Sequence, residues 1–531
     1  MASSRIVIVG GGFGGVKCAK TLRKGLSRDA YEVVLFNREN HMVFQPLLAE
    51  VVGASINPDA VAAPLRQLLP GVRCRTEEVK KIALEEGFVE YEGYDGGLRQ
   101  MPYDHVVVAC GTVVDLSRIP GMADHAFPLR TAGDAIALRY HVMQQMEKAE
   151  VCDDPDQRRM YLSFIVVGGG FSGVEVAGEI NDLVRGTWHL FDNIASEDIS
   201  VTMIHSHDRI LPEISSKLRD FAQGKMEESG IKVILNSKAS FVTPEGVGLK
   251  DGRVIPGATV VCTVGNAMSP VIERLEVLKE EGGLLTETDM RIKSFENAWA
   301  IGDCASIINA YDGRPCPPTG QFAERQGFQV AENIIGALDG LKPRPFYFKP
   351  IGQLCSIGGH SAVAEILGMR ISGFVAWFLW RSVYLFKLPS WSRRAKVGLD
   401  WAWELVFSHD LAHPKTNQTE RVSKAYYRPG DYIFHRGEPG INFYIIERGE
   451  VEVLRPDDEE QSTEILAVLG PGDFFGEMAL FDDQPRNASI RARTPVEVVV
   501  MGRHVFTQIS GSLTAFHNLL ADAVRRRRTS D

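Results

Sequence analysis

The 531-residue sequence contains no apolar run of the ~18 residues that a membrane-spanning helix needs. The nearest candidate, residues 371–388, is interrupted by Arg381 and Lys387. The N-terminus lacks the basic start, the longer apolar stretch and the small-residue cleavage site of a signal peptide. We therefore expect a chain that has no transmembrane helix and stays in the cytoplasm.

The sequence also lacks paired cysteine motifs and a large excess of charge of one sign. Its eight cysteines form no CxxC pair, which indicates reduced thiols rather than a disulfide framework. Charged residues make up 24% and hydrophobic residues 44%, which excludes disordered and collagen-like chains. The net charge of −10 argues against nucleic acid as a partner. We predict no metal site, and at ~150 residues per domain we expect three to four domains.

A glycine-rich loop follows the first β-branched segment. Residues 5–9 predict a strand, residues 10–15 read Gly-Gly-Gly-Phe-Gly-Gly, a helix follows, and residues 31–36 predict a second strand. This is the strand–GxGxxG–helix–strand context of a dinucleotide-binding fold. The glycines let the backbone approach a pyrophosphate, and the helix N-terminus offers unpaired N–H groups. The predicted contacts are Gly10, Gly12, Phe13, Gly14 and Gly15.

The same pattern returns 158 residues later. Residues 164–167 predict a strand, a second glycine loop follows, and residues 201–204 predict the next strand. Two fingerprints in one chain indicate two nucleotides, a flavin and a nicotinamide, with a hydride passing from nicotinamide to flavin. The predicted contacts of the nicotinamide nucleotide are Gly168, Gly170, Phe171, Ser172 and Gly173.

Both fingerprints lack the acidic residue that usually ends the second strand and binds the ribose. Asn37 stands there in the first copy and His205 in the second. We expect Asn37 to contact the flavin nucleotide and His205 the nicotinamide nucleotide. Without a carboxylate that would repel a 2′-phosphate, the choice between NADH and NADPH stays open.

Three further strand-to-turn transitions fit a flavoprotein with two nucleotides. Gly111 follows a buried strand where the first domain would pass to the second, and Gly265 suits the return crossing. Asp303, after a strand and a glycine, can direct a carboxylate toward the ribityl chain of a flavin. We expect Gly111 and Asp303 to contact the flavin and Gly265 the nicotinamide nucleotide.

Several segments together resemble the type II (non-proton-pumping) NADH:quinone oxidoreductases over about residues 5–407. The resemblance is carried by residues 44–48 (Phe-Gln-Pro-Leu-Leu), 168–178, 302–303 and 317–321 (Pro-Pro-Thr-Gly-Gln). It implies an FAD-binding domain over residues 1–115 and 266–345, an NAD(P)H-binding domain over 116–265, and a C-terminal segment over 346–407.

The resemblance also implies roles for individual side chains. Glu175 would lie where nicotinamide meets flavin, and Gln321 would contact both flavin and the quinone headgroup. Arg325 stands where the family usually has a glutamine, which leaves the type of quinone open. The implied quinone contacts are Gln45, Gln321, Arg325 and Gln326.

Five of the seven tryptophans fall within residues 377–403, together with several basic residues. Phe374, Trp377, Phe378 and Arg381 begin a helical stripe typical of an amphipathic helix that lies in a membrane interface. We predict an anchor over residues 371–407 that binds acidic phospholipid on the cytoplasmic face of the inner membrane. An aromatic dimer interface or a core helix is the alternative, and since related enzymes dimerise near this anchor we also expect a homodimer.

A second module follows a polar linker at 408–424. Residues 425–531 show short alternating strands, glycine turns and a final helix at 513–525, which predicts a β-roll. The stretch from Phe475 resembles the phosphate-binding cassette of cyclic-nucleotide-binding domains, which implies that Glu477 binds the ribose and Arg486 the phosphate. The implied contacts of cyclic AMP or cyclic GMP are Gly476, Glu477, Met478, Ala479, Arg486, Asn487 and Ser489.

The predicted fold is therefore α/β, with two Rossmann-like domains, a helical membrane anchor and a C-terminal β-roll. The leading hypothesis is a membrane-associated, FAD-dependent NADH:quinone oxidoreductase regulated by a cyclic nucleotide. One alternative is a sulfide:quinone oxidoreductase, which would use cysteines beside the flavin such as Cys152 and Cys355. Another is a cyclic-nucleotide sensor whose flavoprotein part serves as an anchor.

Overall fold

The computed structural model describes residues 4–280, 282–404, 422–438, 440, 442–456, 463–481 and 486–502. The chain divides into two compact units, Met1–His413 and Pro414–Asp531. The predicted C-terminal helix and residues 408–421 of the predicted linker lie outside the described residues.

The first unit is built around two five-stranded parallel sheets. In spatial order, the strands of the first sheet are Ala298–Ala300, His105–Val108, Ser4–Val9, Tyr31–Phe36 and Arg73–Arg75. Those of the second are Ala126–Pro128, Thr259–Cys262, Ser163–Val167, Ser200–Ile204 and Ile231–Ile234. The strand that precedes each glycine loop is the central one of its sheet, so both loops lie at the carboxyl edge where such folds bind nucleotides.

Smaller antiparallel sheets complete this unit. They comprise His41–Val43 with Ala62–Pro64; Glu78–Ala83, Phe88–Glu92 and Leu98–Pro102; Thr112–Val114 with Asn266–Met268; Ala239–Thr243, Gly246–Leu249 and Val254–Pro256; and Gly352–Gly358, Ser361–Ile366 and Met369–Gly373. A mixed sheet contains Lys279–Glu280, Gly283–Leu285 and Ala305–Ser306.

Six helices position the functional residues and are labelled in chain order. They are α1 (Phe13–Gly25), α2 (Leu48–Val52), α3 (Phe171–Thr187), α4 (Gly320–Leu338), α5 (Phe374–Lys387) and α6 (Trp391–Glu404). The remaining α-helices among the described residues of the unit are Leu65–Leu68, Met122–His125, Ala132–Glu150, Pro155–Tyr161, Ser216–Glu228 and Pro270–Glu273. A large apolar core surrounds α3, which packs against α2 and the strand Gly352–Gly358.

Helices α5 and α6 divide the predicted aromatic stripe between the core and the surface. Trp377, Trp380, Arg381 and Trp401 are buried, which corrects the interpretation of Trp377 and Arg381 as part of a lipid-facing stripe. Arg381 turns inward because buried carboxylates pair with its guanidinium. The large apolar residues of the two helices that remain exposed are Phe374, Val375, Phe378, Phe386, Trp391, Leu399 and Trp403. In the part of the chain that the structure describes, every helix is too short or too polar to cross a bilayer.

The described part of the second unit contains two four-stranded antiparallel sheets. One contains Val422–Tyr427, Val496–Gly502, Asn442–Arg448 and Phe474–Phe475, and the other contains Tyr432–Phe434, Ser489–Ala492, Val451–Pro456 and Thr463–Leu469. A short helix, Met478–Phe481, follows the strand Phe474–Phe475. The first strand begins at Val422, so the last three residues of the predicted linker belong to the sheet, where their backbone pairs with the strand Val496–Gly502.

Candidate functional site

The first glycine loop turns directly from the strand Ser4–Val9 into α1. Gly10 has a φ of +115°, and a Cβ atom there would lie 2.2 Å from the carbonyl oxygen of Ala109. A Cβ atom on Gly15 would lie 1.9 Å from the carbonyl oxygen of Gly10, whereas Gly12 has open space around it. The loop is therefore closed on its protein side and open at Gly12, which fits the approach of a pyrophosphate to the start of α1.

The second loop repeats this construction at the start of α3. Gly168 has a φ of +124°, a Cβ atom on Gly173 would lie 1.9 Å from the carbonyl oxygen of Gly168, and Gly170 faces open space. The residues that replace the usual carboxylates also make equivalent hydrogen bonds in the two loops. Asn37 Oδ1 accepts a hydrogen bond from the Gly11 amide at 2.8 Å, and His205 Nδ1 accepts one from the Gly169 amide at 3.1 Å.

Gly111 and Gly265 flank the two antiparallel strands that link the sheets, Thr112–Val114 and Asn266–Met268. Both glycines have positive φ values, of +62° and +87°. The amide of Asp115 donates to the carbonyl oxygen of Gly265 at 2.7 Å. Both glycines therefore lie where the chain crosses between the two sheets, in backbone conformations that favour glycine.

A cavity of about 430 Å³ opens at the carboxyl edge of the first sheet. Asp303 borders it, lies 3.8 Å from the Arg130 guanidinium, and has a pKa raised by burial. The side-chain oxygen of Gln326 accepts a hydrogen bond from the Gly302 amide at 2.8 Å. Gln326 therefore holds the turn that presents Asp303. Other residues around the cavity include Thr112, Cys316, Pro317, Pro318, Thr319 and Ala323.

The other predicted quinone contacts lie on α4 and near α2. Gln321 is half-buried in the first turn of α4, and Gly320 beside it lies against the ring of Phe13. The exposed side chain of Gln45 donates to the carbonyl oxygen of Arg130 at 3.5 Å. The structure separates Arg325 from Gln326: Arg325 is exposed and its guanidinium lies 5.5 Å from the centre of the Phe348 ring.

Glu175 is half-buried near the start of α3. Its Oε1 atom accepts hydrogen bonds from the Ser356 amide at 3.3 Å and from Trp380 Nε1 at 3.2 Å. Burial raises the pKa of Glu175 to about 8, and the nearby Glu50 carboxylate adds to that shift. The side chain is thus a protonated carboxyl at neutral pH, and one of its partners comes from α5.

A further group of buried charges lies between α2, α5 and α6. The Arg381 guanidinium is 2.6 Å from Glu404 Oε2 and 3.5 Å from Glu50 Oε1, and it stacks on the rings of two tryptophans. Trp401 Nε1 donates to Glu50 at 2.7 Å. Burial raises the pKa of Glu50 despite the opposing effect of Arg381. These contacts fix both C-terminal helices to the core beside Glu175.

In the second unit, the fold brings Arg486 of the predicted cassette against Gly476. Arg486 is buried, donates to the carbonyl oxygens of Gly476 and Asn442 at 2.7 Å each, and lies 4.1 Å from the centre of the Phe434 ring. Glu477 is also buried.

The remaining cassette residues have contacts of their own. Asn487 contacts the sulfur of Met478 at 3.3 Å. Ala479 belongs to the short helix Met478–Phe481, and Ser489 Oγ accepts a hydrogen bond from the Arg436 amide at 2.9 Å. Ser489 is therefore engaged with the neighbouring loop.

Three protein families match successive parts of the chain. The pyridine nucleotide-disulphide oxidoreductase family matches residues 4–327, the NDH2 C-terminal domain matches 351–410, and the cyclic nucleotide-binding domain matches 424–512. The first match covers more than half of the sequence and includes both glycine loops.

Individual similar proteins make the family assignment of the chain more specific. Demethylphylloquinone reductase NdbB of Synechocystis sp. is 31% identical over 75% of this chain and 96% of its own length. Type II NADH:quinone oxidoreductase Ndh of Mycobacterium tuberculosis is 30% identical over 75% and 87%. The chain belongs to the type II NADH:quinone oxidoreductases. The solved structure of NDH2 from Plasmodium falciparum in complex with NADH has the same fold, with a TM-score of 0.72, 18% identity, and coverage of 77% of this chain and all of that one.

This type II oxidoreductase uses FAD and a pyridine nucleotide, and it carries a cyclic nucleotide-binding domain after the catalytic unit. Its two loops fit these groups, since each leaves one glycine open at a helix N-terminus and closes the rest against the backbone. The predicted α/β fold with two Rossmann-like domains and a β-roll is confirmed.

Sequence reasoning did not single out several residues of the site. Arg130 contacts both Asp303 and Thr112, but an isolated arginine outside any motif gives no signal in the sequence. Glu179 lies four residues after Glu175 and therefore on the same helical face, a spacing that could have identified it. Glu50 becomes visible as a site residue only through its contacts with α5 and α6.

The raised pKa of the Glu175 carboxyl makes the stability of the protein depend on pH. Its folded-state pKa of about 8 lies above the ordinary value of 4.5, so the folded state binds the proton more tightly. The stability this group contributes is complete below about pH 4.5 and is lost as pH rises through about 8, at about 1.4 kcal/mol per pH unit between. In urea titrations we expect the oxidoreductase to be less stable at about pH 9 than at about pH 6.

The matched variants are Glu175→Gln and Glu227→Gln, the second at an exposed position on the helix Ser216–Glu228. Glu175→Gln is expected to weaken the loss of stability between the two pH values, whereas Glu227→Gln leaves it as in the original protein. The same pH dependence in all three proteins would contradict the assignment.

Proposed function

We propose that this type II oxidoreductase is a peripheral membrane enzyme that transfers the reducing equivalents of NADH to a membrane quinone without pumping protons, under the control of cyclic AMP or cyclic GMP. FAD, when bound, supplies the two-electron redox chemistry between the nucleotide and the quinone. The observation that carries the proposal is the position of Glu175, a half-buried carboxyl with a raised pKa on the helix that begins at the second glycine loop.

The chain's own residues would bind and orient FAD, the nicotinamide nucleotide and the quinone, and would protonate the quinone. The first loop with Asn37 and Asp303 would hold FAD, and the second loop with His205 would hold the nicotinamide nucleotide. Glu175 would donate a proton to the quinone, because its raised pKa keeps it protonated at neutral pH. Gln321 and Gln45 would contact the quinone.

The preference for NADH or NADPH would depend on His205. Its Nδ1 atom is occupied by the Gly169 amide, and burial lowers its pKa, so the ring is neutral at physiological pH. A neutral imidazole does not repel a 2′-phosphate as a carboxylate would. We therefore infer that the enzyme accepts both nucleotides.

Membrane association would occur through α5 and α6, whose exposed residues include Phe378, Phe386 and Trp391. Exposed apolar residues accompanied by Lys387 and Lys396 favour an interface rich in acidic phospholipid on the cytoplasmic side. Arg381 is excluded from that role by its buried ion pairs. A homodimer formed near these helices is part of the same proposal.

Anaerobic stopped-flow absorbance of the bound flavin tests the catalytic proposal. NADH should bleach the flavin and quinone should restore its colour. Bleaching by sulfide alone would instead favour a sulfide:quinone oxidoreductase. Against that alternative, Cys355 is buried with a strongly raised pKa, and Cys152 donates to the carbonyl oxygen of Asp154 in its own loop.

Arg486→Ala tests the regulatory proposal. We expect it to weaken binding of cyclic AMP or cyclic GMP by about 2 kcal/mol, roughly thirtyfold, because a charge-assisted contact to phosphate is lost. Arg493→Ala is the matched control, since Arg493 lies in the same unit, is exposed, and pairs with Glu450. Calorimetry gives the affinities.

The same variants test whether binding of the cyclic nucleotide changes NADH:quinone turnover. Cyclic nucleotide should change NADH:quinone turnover in the original enzyme and in Arg493→Ala, but not in Arg486→Ala at the same concentration. Equal affinities in the two variants would remove Arg486 from the site. Tight binding in a protein without quinone turnover would favour the sensor alternative.

A further inference from the structure

A second cavity, of about 390 Å³, opens at the amino edge of the first parallel sheet. It lies between the first residues of three neighbouring strands and the end of α1. The central strand is six residues long, so at ~3.3 Å per residue this edge is roughly 17 Å from the glycine loop. The cavity is therefore separate from the site proposed for FAD. Four arginines and one glutamate border it: Arg5, Arg23, Arg28, Arg73 and Glu32.

The residues around this cavity carry an excess of positive charge. Glu32 provides the one carboxylate among them, and it accepts hydrogen bonds from Arg5 Nε at 2.7 Å and from Arg73 Nη1 at 2.9 Å. Arg23 and Arg28 form no ion pair with any residue that the structure describes. Four guanidinium groups and one carboxylate leave an excess of three positive charges around one cavity.

Two of the arginines are packed against the backbone. Arg23 is half-buried and donates to the carbonyl oxygen of Tyr31 at 3.1 Å. The Arg28 guanidinium lies against Gly71, where a Cβ atom would be 2.7 Å from Nη2. Burial lowers the pKa of Arg23, and the charge of Arg28 lowers it further. The two guanidinium groups therefore repel each other, and the carbonyl oxygens around them do not neutralise their charge.

Two carboxylates near this edge lie outside the cavity. Asp104 Oδ2 accepts a hydrogen bond from the backbone amide of Arg5 at 2.6 Å. Asp29 follows Arg28 in the sequence and is exposed. Neither residue borders the cavity, and solvent screens the charges of both because they are exposed.

The second parallel sheet shows which of these charges the fold itself needs. Both sheets place a glycine loop after the central strand, so their positions can be matched from the loops and the strand register. The residues that correspond to Arg5, Glu32 and Arg73 are Ser163, Ser200 and Lys232. The arginine pair around Glu32 is thus particular to the first sheet.

In the second sheet, Arg185 alone makes the backbone contacts that Arg23 and Arg28 share in the first. It donates to the carbonyl oxygen of Ile199 at 3.2 Å, and a Cβ atom on Gly230 would lie 2.9 Å from its Nη2 atom. One guanidinium is therefore enough to support this edge of the fold. The additional arginines of the first sheet are not explained by the backbone that they contact.

The charge excess, the donor type and the volume together indicate the ligand. Guanidinium groups bind phosphate oxygens through two parallel hydrogen bonds. A terminal phosphate carries about two negative charges at neutral pH, and the next phosphate of a diphosphate adds about one more, which matches the excess. The volume falls within the range of small-molecule sites and leaves room for a sugar beside the diphosphate.

We propose that this cavity binds the diphosphate group of a soluble nucleoside diphosphate. A lipid headgroup is the other source of clustered phosphate. The large exposed apolar residues that would accompany a lipid contact lie on α5 and α6, and none of them borders this cavity.

Calorimetry with inorganic pyrophosphate tests the proposal on the full-length, FAD-loaded enzyme. NAD⁺ and cyclic AMP are present in excess, so that the second glycine loop and the second unit are occupied. Arg28→Ala and Arg73→Ala should each weaken binding of pyrophosphate tenfold or more, because each removes a charged donor from an exposed position. Arg28→Lys should fall between, since lysine keeps the charge without the two parallel hydrogen bonds. Pyrophosphate should also raise the melting temperature of the original protein, and less so that of Arg28→Ala.

Arg159→Ala is the matched control. Arg159 is exposed, pairs with Asp156 at 2.6 Å, and lies just before the central strand of the second sheet. This variant should bind pyrophosphate as the original protein does. Equal affinity in Arg28→Ala and the original protein would overturn the site, and so would an equal loss in Arg159→Ala, which would indicate a general effect of charge.

Two further measurements identify the source of the phosphate. ADP should displace pyrophosphate from the original protein, and failure to do so would exclude a nucleoside diphosphate as the occupant. Sedimentation with vesicles of acidic phospholipid should be the same for Arg28→Ala and the original protein. Weaker sedimentation of Arg28→Ala would assign the arginines to lipid headgroups and overturn the proposal. None of these readouts depends on quinone turnover, so the proposed catalytic function and this site are tested separately.

Discussion

Glu175→Gln is expected to slow NADH:quinone turnover by about two to four orders of magnitude, the usual contribution of a positioned general acid. Glutamine has nearly the same shape, and its carbonyl oxygen can still accept the hydrogen bonds from Ser356 and Trp380. The variant should therefore keep its fold and its FAD but lose the proton donor. Steady-state turnover with a water-soluble quinone measures the effect, with flavin absorbance as the check on cofactor content.

The pH dependence of turnover assigns this effect to Glu175. In the original enzyme we expect turnover to decline above about pH 8 as Glu175 loses its proton, whereas the residual turnover of Glu175→Gln should lack that decline. Trp380→Phe is the companion variant. The indole hydrogen bond lowers the pKa of Glu175, so its removal should move the decline to higher pH. Unchanged turnover in Glu175→Gln would exclude it as the donor.

Gly15→Ala should prevent the first glycine loop from closing and should lower the free energy of unfolding by about 3 kcal/mol or more. The new methyl carbon would lie 1.9 Å from the carbonyl oxygen of Gly10 and 3.4 Å from Ile8, so the backbone must move. We expect a large fall in thermal stability and loss of FAD, measured by calorimetry and by flavin content.

Gly12→Ala provides the matched control within the same loop. Gly12 has an extended backbone, φ −80° and ψ −167°, and open space around it, so alanine should not affect the fold. Its methyl group would still obstruct the approach of a pyrophosphate, so FAD should bind more weakly to a protein of normal stability. If FAD bound Gly12→Ala as tightly as the original protein, the loop would not be the pyrophosphate site.

The second loop offers the same comparison for the nicotinamide nucleotide. Gly173→Ala should damage the fold, because its methyl carbon would lie 1.9 Å from the carbonyl oxygen of Gly168, whereas Gly170→Ala should weaken only nucleotide binding. FAD content should stay normal in Gly170→Ala, which separates the two sites.

The local features of this oxidoreductase could be predicted from its sequence. A strand, a glycine loop and a helix are defined by residues close together in the chain, so the sequence predicts both loops, whereas the roles of Glu175 and Arg486 are implied by family resemblance and stay predictions. The correspondence of Asn37 and His205 also follows from sequence, since each ends the strand after its loop. Local spacing was sufficient because the contacts concerned are local.

The surroundings of Glu175 depend on the tertiary structure. Trp380 is 205 positions away in sequence, and Trp401 lies 351 positions from Glu50, so no local pattern relates them. The aromatic stripe of α5 was equally ambiguous, because helical periodicity shows which residues share a face but not whether lipid or protein covers it. Burial of Arg381 against carboxylates from α2 and α6 decided that question. By itself the sequence determined the two nucleotide loops. Only the tertiary structure decided that the C-terminal helices complete the surroundings of Glu175, because buried charged groups pair with residues that are distant in the sequence.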